Sequence, residues 1–236
     1  LSSSTSTNLT SISGGTVQIV GDALTIPESF SISGTGYTSK GTIRNEGGDN
    51  TLSGTITLAA AATIISGGTQ STDSLVVSGP INLSSFILTI ESSEAARIAG
   101  VISGTGGLTK TGADVVLITN TNTYTGASSI NAGQVIISNA SALGTSAGAT
   151  TISSGAALQI SSASSLTIAE PFTISGSGIS NTGVIRNLSG NGVMILSGAI
   201  TASAASRIHN KSANLLTIQT GTLANNGGLT IGADGN

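Results

Sequence analysis

The sequence predicts an all-β protein, namely a right-handed parallel β-helix that forms a single elongated solenoid over residues 1–236. Three observations lead to this fold class. The apolar residues come in short clusters of Ile, Val and Leu separated by Gly, Asn or Ser, and they never keep the spacing of an amphipathic helix over three turns. Aromatic residues make up only 2% of the chain, so the core has to be assembled from many small aliphatic side chains. A long segment of the sequence also repeats.

Ten apolar clusters have the length and composition of short β-strands. They lie at residues 23–26, 54–58, 74–77, 86–90, 114–118, 134–137, 157–160, 165–168, 193–196 and 215–218. Their spacing predicts coils of about 20 residues with two or three short strands each. Stacking such coils about 4.8 Å apart pairs every strand with the strands above and below it. The connections between parallel strands are expected to be right-handed.

The internal repeat defines the organisation of the chain. LTIPESFSISG at 24–34 returns as LTIAEPFTISG at 166–176, so the sequence offset is 166 − 24 = 142. GTIRN at 41–45 matches GVIRN at 183–187 with the same offset, and LSGTI at 52–56 matches LSGAI at 196–200 with an offset of 144. The small insertion that changes the offset is expected in a turn. The sequence therefore predicts one full unit over residues 24–165 and a partial second unit over 166–236.

Composition excludes several classes of protein. Charged residues make up 7% of the chain, against about 25% in typical proteins. A net charge of −3 with 38% hydrophobic residues is unlike a disordered chain, which combines low hydrophobicity with high charge. The absence of Cys excludes disulfides, thiol nucleophiles and Cys-based zinc sites. The seven basic residues are scattered, which argues against nucleic-acid binding, and no apolar run approaches the length of about 18 residues that a membrane helix needs.

Residues 106–135 carry a more specific pattern. GGLTKTGA at 106–113 is followed by VLI at 116–118, NTYTG at 122–126 and INAG at 130–133. This succession resembles the autotransporter-associated β-strand repeat, or passenger-associated transport repeat, of bacterial type V secretion passengers. Asp114 and Val115 stand where that family usually has Gly and Thr, but the strand pattern is kept. SALG at 141–144 is similar to the segment that often follows the repeat.

The resemblance implies a right-handed parallel β-helix that is exported across the outer membrane of a Gram-negative bacterium and stays at the cell surface. It supplies no catalytic residues. It is close over residues 106–158 and concerns only the general style of the sequence elsewhere.

The residues that carry chemistry are few. His209 is the only histidine, and its neighbours Asn210 and Lys211 predict a turn, so no His-based metal site is expected. Glu91 and Glu94 are the closest pair of glutamates, but ESSEAAR at 91–97 is typical of a solvated turn. We expect no catalytic, cofactor-binding or metal-binding residues. A β-helix domain that binds or degrades polysaccharide is the alternative, and an ice-binding role of the Thr-x-Thr pairs is disfavoured by their irregular spacing.

Four residues are candidates for contacts with a partner. Tyr37, in the loop 34–41, and Tyr124, in the loop 119–126, are expected to protrude from the shaft. Arg44 and Arg186 occupy the same place in the two units, where they form either a row of anion or glycan contacts or ordinary strand ends beside an Asn turn.

The function expected from these observations is that of an extracellular structural or adhesive fibre without catalysis. The expected partners are further copies of the same unit stacked end to end, surface glycans, or other cells. Neither end of the sequence has the polar cap that solenoids normally need, which favours stacking onto further coils.

Overall fold

The protein is a single elongated parallel β-solenoid of about nine turns, with 53% of its residues in strands and 3% in helices. The computed structural model describes residues 9–68, 73–188, 193–211, 215–219 and 221–233. Every strand pairing in this part of the chain is parallel, as in a coil that returns to the same face once per turn. Each of the ten predicted apolar clusters overlaps a strand, although the strand bounds differ from the cluster bounds by up to two residues at several of them. The predicted fold class is confirmed.

The coils have three faces, which the chain visits in the constant order face 1, face 2, face 3. Two long strands, β7 and β23, turn a corner and contribute to two successive faces. Strands are numbered in chain order. Face 1 consists of β1 (Leu9–Ser13), β4 (Ser29–Gly34), the first part of β7 (Ile56–Ser66), β9 (Ile81–Asn82), β12 (Ile102–Ser103), β19 (Leu166–Ile168), β22 (Met194–Leu196) and β24 (Leu216–Ile218).

The other two faces each contain ten stacked strand segments. Face 2 consists of β2 (Val17–Val20), β5 (Ile43–Gly47), the second part of β7, β10 (Leu88–Ser92), β13 (Leu108–Thr111), β15 (Ser128–Ile130), β17 (Thr150–Ile152), β20 (Phe172–Gly176), the first part of β23 (Ile200–Asn210) and β25 (Leu223–Asn225). Face 3 consists of β3 (Thr25–Ile26), β6 (Asp49–Leu52), β8 (Ser74–Val77), β11 (Ala95–Ile98), β14 (Val115–Ile118), β16 (Gln134–Ile137), β18 (Ala157–Ile160), β21 (Ile185–Asn187), the second part of β23 and β26 (Leu229–Ala233).

The core is a column of aliphatic side chains along the solenoid axis. On face 1, Phe30, Ile56, Ile81 and Ile102 occupy paired positions of β4, β7, β9 and β12, and each is 0% exposed. Side chains of a strand alternate between its two sides, so one residue in two points into this column while Ser and Thr point outward. The small aliphatic residues that the composition supplies are therefore sufficient for the interior.

Corner turns are sharp because glycines stack directly on one another from coil to coil. A Cβ added to Gly100 would lie 1.8 Å from the carbonyl oxygen of Gly79, and one added to Gly79 would lie 2.0 Å from that of Gly54. A second column, between faces 1 and 2, contains Gly106 and Gly126, where the added Cβ of Gly126 would lie 2.3 Å from the oxygen of Gly106. No side chain fits at these corners, which accounts for the recurrent glycines in the sequence.

Coil length varies, and the longest coils carry a protruding loop. Leu108 pairs with Leu88, a sequence separation of 108 − 88 = 20, whereas Ile200 pairs with Phe172, a separation of 200 − 172 = 28. The longer coil includes the 3₁₀ turn η2 (Ile179–Asn181). The corresponding turn of the first unit, η1 (Tyr37–Ser39), precedes η2 by the repeat offset, and the positive φ angles of the two loops recur at that offset as well.

The two units differ in phase by one face of the solenoid. β5 lies on face 2, and face 2 then passes through β7, β10, β13, β15 and β17 to β20, which is six turns. β21, the counterpart of β5, is the next strand along the chain and lies on face 3. One repeat unit thus advances the chain by six and one third turns. Equivalent loops of the two units consequently protrude from different corners.

Candidate functional site

Tyr37 lies at the tip of the protruding loop in the first unit and is 72% exposed. Thr16 holds this loop against the previous coil, because its hydroxyl donates to the oxygen of Gly41 at 2.7 Å and accepts from the amide of Tyr37 at 2.9 Å. Thr16, Gln18, Tyr37, Thr38 and Lys40 line a groove of about 410 Å³ beside the loop. An exposed ring flanked by hydroxyl, amide and ammonium groups is suited to polar ligands, so Tyr37 remains a candidate contact residue.

Arg44 and Arg186 lie at equivalent strand positions but have different neighbours. Arg44 Nε is 2.8 Å from Glu46 Oε1, and the same carboxylate oxygen accepts a hydrogen bond from Gln18. The counterpart of Glu46 in the second unit is Leu188, so the sequence provides no equivalent acid beside Arg186. The two arginines therefore do not form a uniform row.

Tyr124 was expected in a protruding loop, and that prediction is wrong. The side chain is 0% exposed and its hydroxyl shares a hydrogen bond of 2.7 Å with the hydroxyl of Ser128. The segment around it has no strand, and Asn122 bridges coils by donating to the oxygen of Ala142 and accepting from the amide of Ile102. The ring fills the interior at a coil where regular face 1 pairing is interrupted. Burial raises the pKa of Tyr124.

His209 was expected in a turn, and it lies instead in strand β23 with only 3% of its surface exposed. Its Nδ1 atom is 3.0 Å from the carbonyl oxygen of Thr182, in the loop of the preceding coil. A Cβ at Gly183 would lie 2.7 Å from the Cβ of His209. The loop of the second unit therefore packs closely against this histidine. The loop of the first unit packs in the same way against Ile65, whose side chain a Cβ at Gly41 would meet at 2.7 Å.

Lys110 is a buried cation with a structural environment. Its side chain is 2% exposed, and Nζ donates to the carbonyl oxygens of Thr111, Gly112 and Ala132 at 2.6, 2.8 and 3.1 Å. Burial lowers the pKa of Lys110 to about 8, although the nearby carboxylates of Asp114 and Glu91 act in the opposite direction. Three donors meet three acceptors, so this ammonium joins two successive corner turns and has no spare donor for a substrate.

Glu170 is a second buried ionisable group. It is 5% exposed and accepts a hydrogen bond of 2.7 Å from the hydroxyl of Thr150. Burial raises the pKa of Glu170 to about 7, and the Thr150 hydrogen bond partly opposes this shift. The counterpart in the first unit, Glu28, accepts an equivalent bond of 2.6 Å from Thr10. The recurrence of this Glu–Thr pair in both units favours a structural role at the corner turn.

Carboxylates are not gathered into a reactive cluster in the part of the chain that the structure describes. Glu94 lies in a corner turn, as the sequence predicted, whereas Glu91 still belongs to strand β10. Among the described residues, no three His, Cys, Asp or Glu side chains are placed to hold a metal ion. In the same residues, no helix is long and apolar enough to cross a membrane.

Sequence reasoning missed the buried Lys110 and Glu170. The repeated Glu of 24–34 and 166–176 was a signal for the second of these residues, since a charged residue kept within an otherwise apolar repeat needs a specific partner. Comparison of the sequence with protein-family models, with curated proteins and with solved structures finds no match.

Proposed function

We propose that this chain is part of the shaft of an extracellular fibre or adhesin, an autotransporter passenger of a Gram-negative bacterium, and that it acts through its shape rather than through catalysis. The observation that carries the proposal is the unbroken stack on faces 2 and 3, where ten strand segments follow one another in parallel register. A rod needs this continuity, because every coil is held only by its two neighbours.

The dimensions suit a spacer. Nine intervals of about 4.8 Å between neighbouring strands give a shaft of about 43 Å for this segment. The hydrogen bonds of the faces run along this axis, so a longer array of the same coils extends without a new core. The low content of charged residues is no obstacle, because outward Ser and Thr hydroxyls hydrate the surface.

Three residues of the motif that resembles the passenger repeat have a structural explanation. Lys110 ties two corner turns together, Tyr124 fills the interior, and Gly126 stacks on Gly106. None of these residues presents a reactive group to solvent. This supports the view that the motif specifies a coil geometry, which a passenger shaft requires, rather than a binding or catalytic site.

Stacking onto further coils is part of the proposal. On the last described coil, Leu223 and Ile231 are 48% and 56% exposed, although they pair with the fully buried Ile200 and Ile208 and therefore belong to the core column. Unpaired strand edges and apolar side chains of this kind are hazardous unless they are covered. We expect the cover to be a second copy of the same chain, stacked end to end on this coil.

Surface labelling tests the location. Antibodies raised against this chain are expected to label intact cells that produce the full-length protein, and external protease is expected to remove the signal. Labelling only after the cells are lysed would refute an extracellular shaft. Analytical ultracentrifugation of the purified chain tests the stacking, and a monomer at every concentration up to the solubility limit would argue against it.

A further inference from the structure

A groove in the second unit lies where the loop 176–183 overhangs the corner between faces 2 and 3. It has a volume of about 810 Å³. Its lining is polar apart from one leucine and small residues, and consists of Ser154, Gly176, Ser177, Asn181, Ala205, Ser206, Arg207, Asn225, Gly228, Leu229 and Thr230. This volume is within the range of about 300–1,000 Å³ that is usual for small-molecule sites.

Arg207 supplies the only charge among these lining residues. Its Nη1 donates to the carbonyl oxygen of Asn181 at 3.1 Å, so the guanidinium is tied to the overhanging loop. Its Nε is buried and has no hydrogen-bond partner among the described residues. The guanidinium packs over Gly232, where a Cβ would lie 3.1 Å from Nη2. The guanidinium thus lies between the overhanging loop and the next coil, with one hydrogen bond to the loop.

The charge of Arg207 is not neutralised by a neighbouring acid in the described part of the chain. The sequence has no Asp or Glu between Glu170 and Asp234, whereas it has Arg186, Arg207 and Lys211 in that interval. In the first unit the position of Arg207 is taken by Thr63. A partly buried cation without a counter-ion is unfavourable, and a bound anion removes that penalty.

The groove itself is specific to the second unit. Leu229 of β26 pairs with Ser206, and Leu88 of β10 pairs with Ala62, which is the first-unit counterpart of Ser206. The residues just before Leu229 therefore correspond to those just before Leu88. The first unit has Phe86 and Ile87 there, and the second has Gly227 and Gly228. Two side chains are therefore missing at the point where the groove opens.

We propose that this groove binds an acidic oligosaccharide, with the carboxylate of a uronic-acid unit on Arg207 and sugar hydroxyls on the surrounding amide and hydroxyl groups. One fixed cation among many neutral polar groups matches a chain with one carboxylate per uronic acid. A phosphate-rich ligand would require several cations around the same point. This site goes beyond the proposed shaft function. The shaft function rests on the coil stack and does not depend on the binding site.

Isothermal titration of the folded chain with hyaluronan oligosaccharides tests the proposal. We expect binding to the acid form and none to the same oligosaccharide after methyl esterification of its carboxylates. Arg207→Gln is expected to weaken binding about tenfold or more, because a hydrogen-bonded charge pair is lost. Arg97→Gln is the matched control, since Arg97 is exposed on face 3 in strand β11, away from the groove, and should bind like the wild type.

A second variant keeps Arg207 but gives its guanidinium an internal carboxylate partner, so that it is not free to bind a ligand. Thr230 is the strand partner of Arg207 and is exposed, so Thr230→Glu places a carboxylate beside the guanidinium. We expect this variant to fold, as judged by circular dichroism, and to lose binding. The proposal is overturned if the wild type does not bind, if the methyl ester binds equally, if Thr230→Glu binds normally, or if Arg97→Gln weakens binding as much as Arg207→Gln does.

Discussion

Replacing Gly100 by Ala places a methyl group against the backbone of the preceding coil. The new Cβ would lie 1.8 Å from the oxygen of Gly79, whereas real Cβ contacts essentially never fall below 3.0 Å. The two coils must therefore separate by roughly 1 Å at this corner, since an overpacked site is relieved by a backbone shift. The atom in the way is backbone, so no side-chain rotation relieves the contact.

This separation breaks the hydrogen bonds that cross the corner. The amides of Ala99 and Gly100 both donate to the oxygen of Val77, at 2.8 and 3.0 Å. Lengthening both by the separation of the coils gives donor–acceptor distances of roughly 4 Å, which is too long for a hydrogen bond. Two lost bonds at about 1.5 kcal/mol each predict that Gly100→Ala lowers the free energy of unfolding by about 3 kcal/mol.

Denaturation by guanidinium, followed by far-ultraviolet circular dichroism, measures this change. Gly15→Ala is the matched control, because its Cβ would meet only Ile12 Cγ2, at an ordinary 3.7 Å. We expect the control to change the free energy of unfolding by less than about 0.5 kcal/mol. A loss below about 1 kcal/mol for Gly100→Ala, or an equal loss in both variants, would refute the view that stacked glycines set the coil corners.

Three further predictions concern the buried polar groups. Burial raises the pKa of Glu170 to about 7, so as pH rises this carboxyl group ionises in the unfolded chain before it ionises in the folded protein. The free energy of unfolding of the wild type should therefore fall by up to about 3 kcal/mol between about pH 4.5 and 7. Thermal melts across this range should show no such slope for Glu170→Gln, and an unchanged slope would contradict the prediction. Tyr124→Phe removes the hydrogen-bond partner of the buried Ser128 hydroxyl and should lower the free energy of unfolding by about 1–2 kcal/mol, as measured by denaturation. Adding Ser128→Ala should restore most of this loss, because the double variant has no hydroxyl left without a partner at this place. Losses that simply add in the double variant would contradict the prediction. Lys110→Met removes the ammonium group that three carbonyl oxygens accept from and should lower the free energy of unfolding by about 3 kcal/mol. Lys40→Met, at an exposed position, should change this free energy little. Similar losses in the two variants would show that Lys110 does not hold the two corner turns together.

The buried polar residues show which features of the fold the local sequence pattern can predict and which it cannot. Alternation of apolar and polar residues is a property of neighbouring residues, so the strands of the ten clusters were predictable without knowledge of the fold. Tyr124 and His209 were misplaced because each lies in a polar local sequence, NTYTG or RIHNK, that is typical of loops. Their burial depends on the coil above or below, which closes over them with residues distant in the sequence.

The sequence alone therefore determined the fold class, the approximate coil length and the long internal repeat, because short aliphatic clusters and glycine corners leave few other ways to bury the apolar surface. Only the tertiary structure decided that the second unit is turned by one face, since the phase is the sum of all coil lengths in a unit. It also decided which residues meet across coils. The groove at Arg207 is formed in this way, because the two glycines that open it and an arginine with no acidic neighbour among the described residues lie in different coils that only stacking brings together.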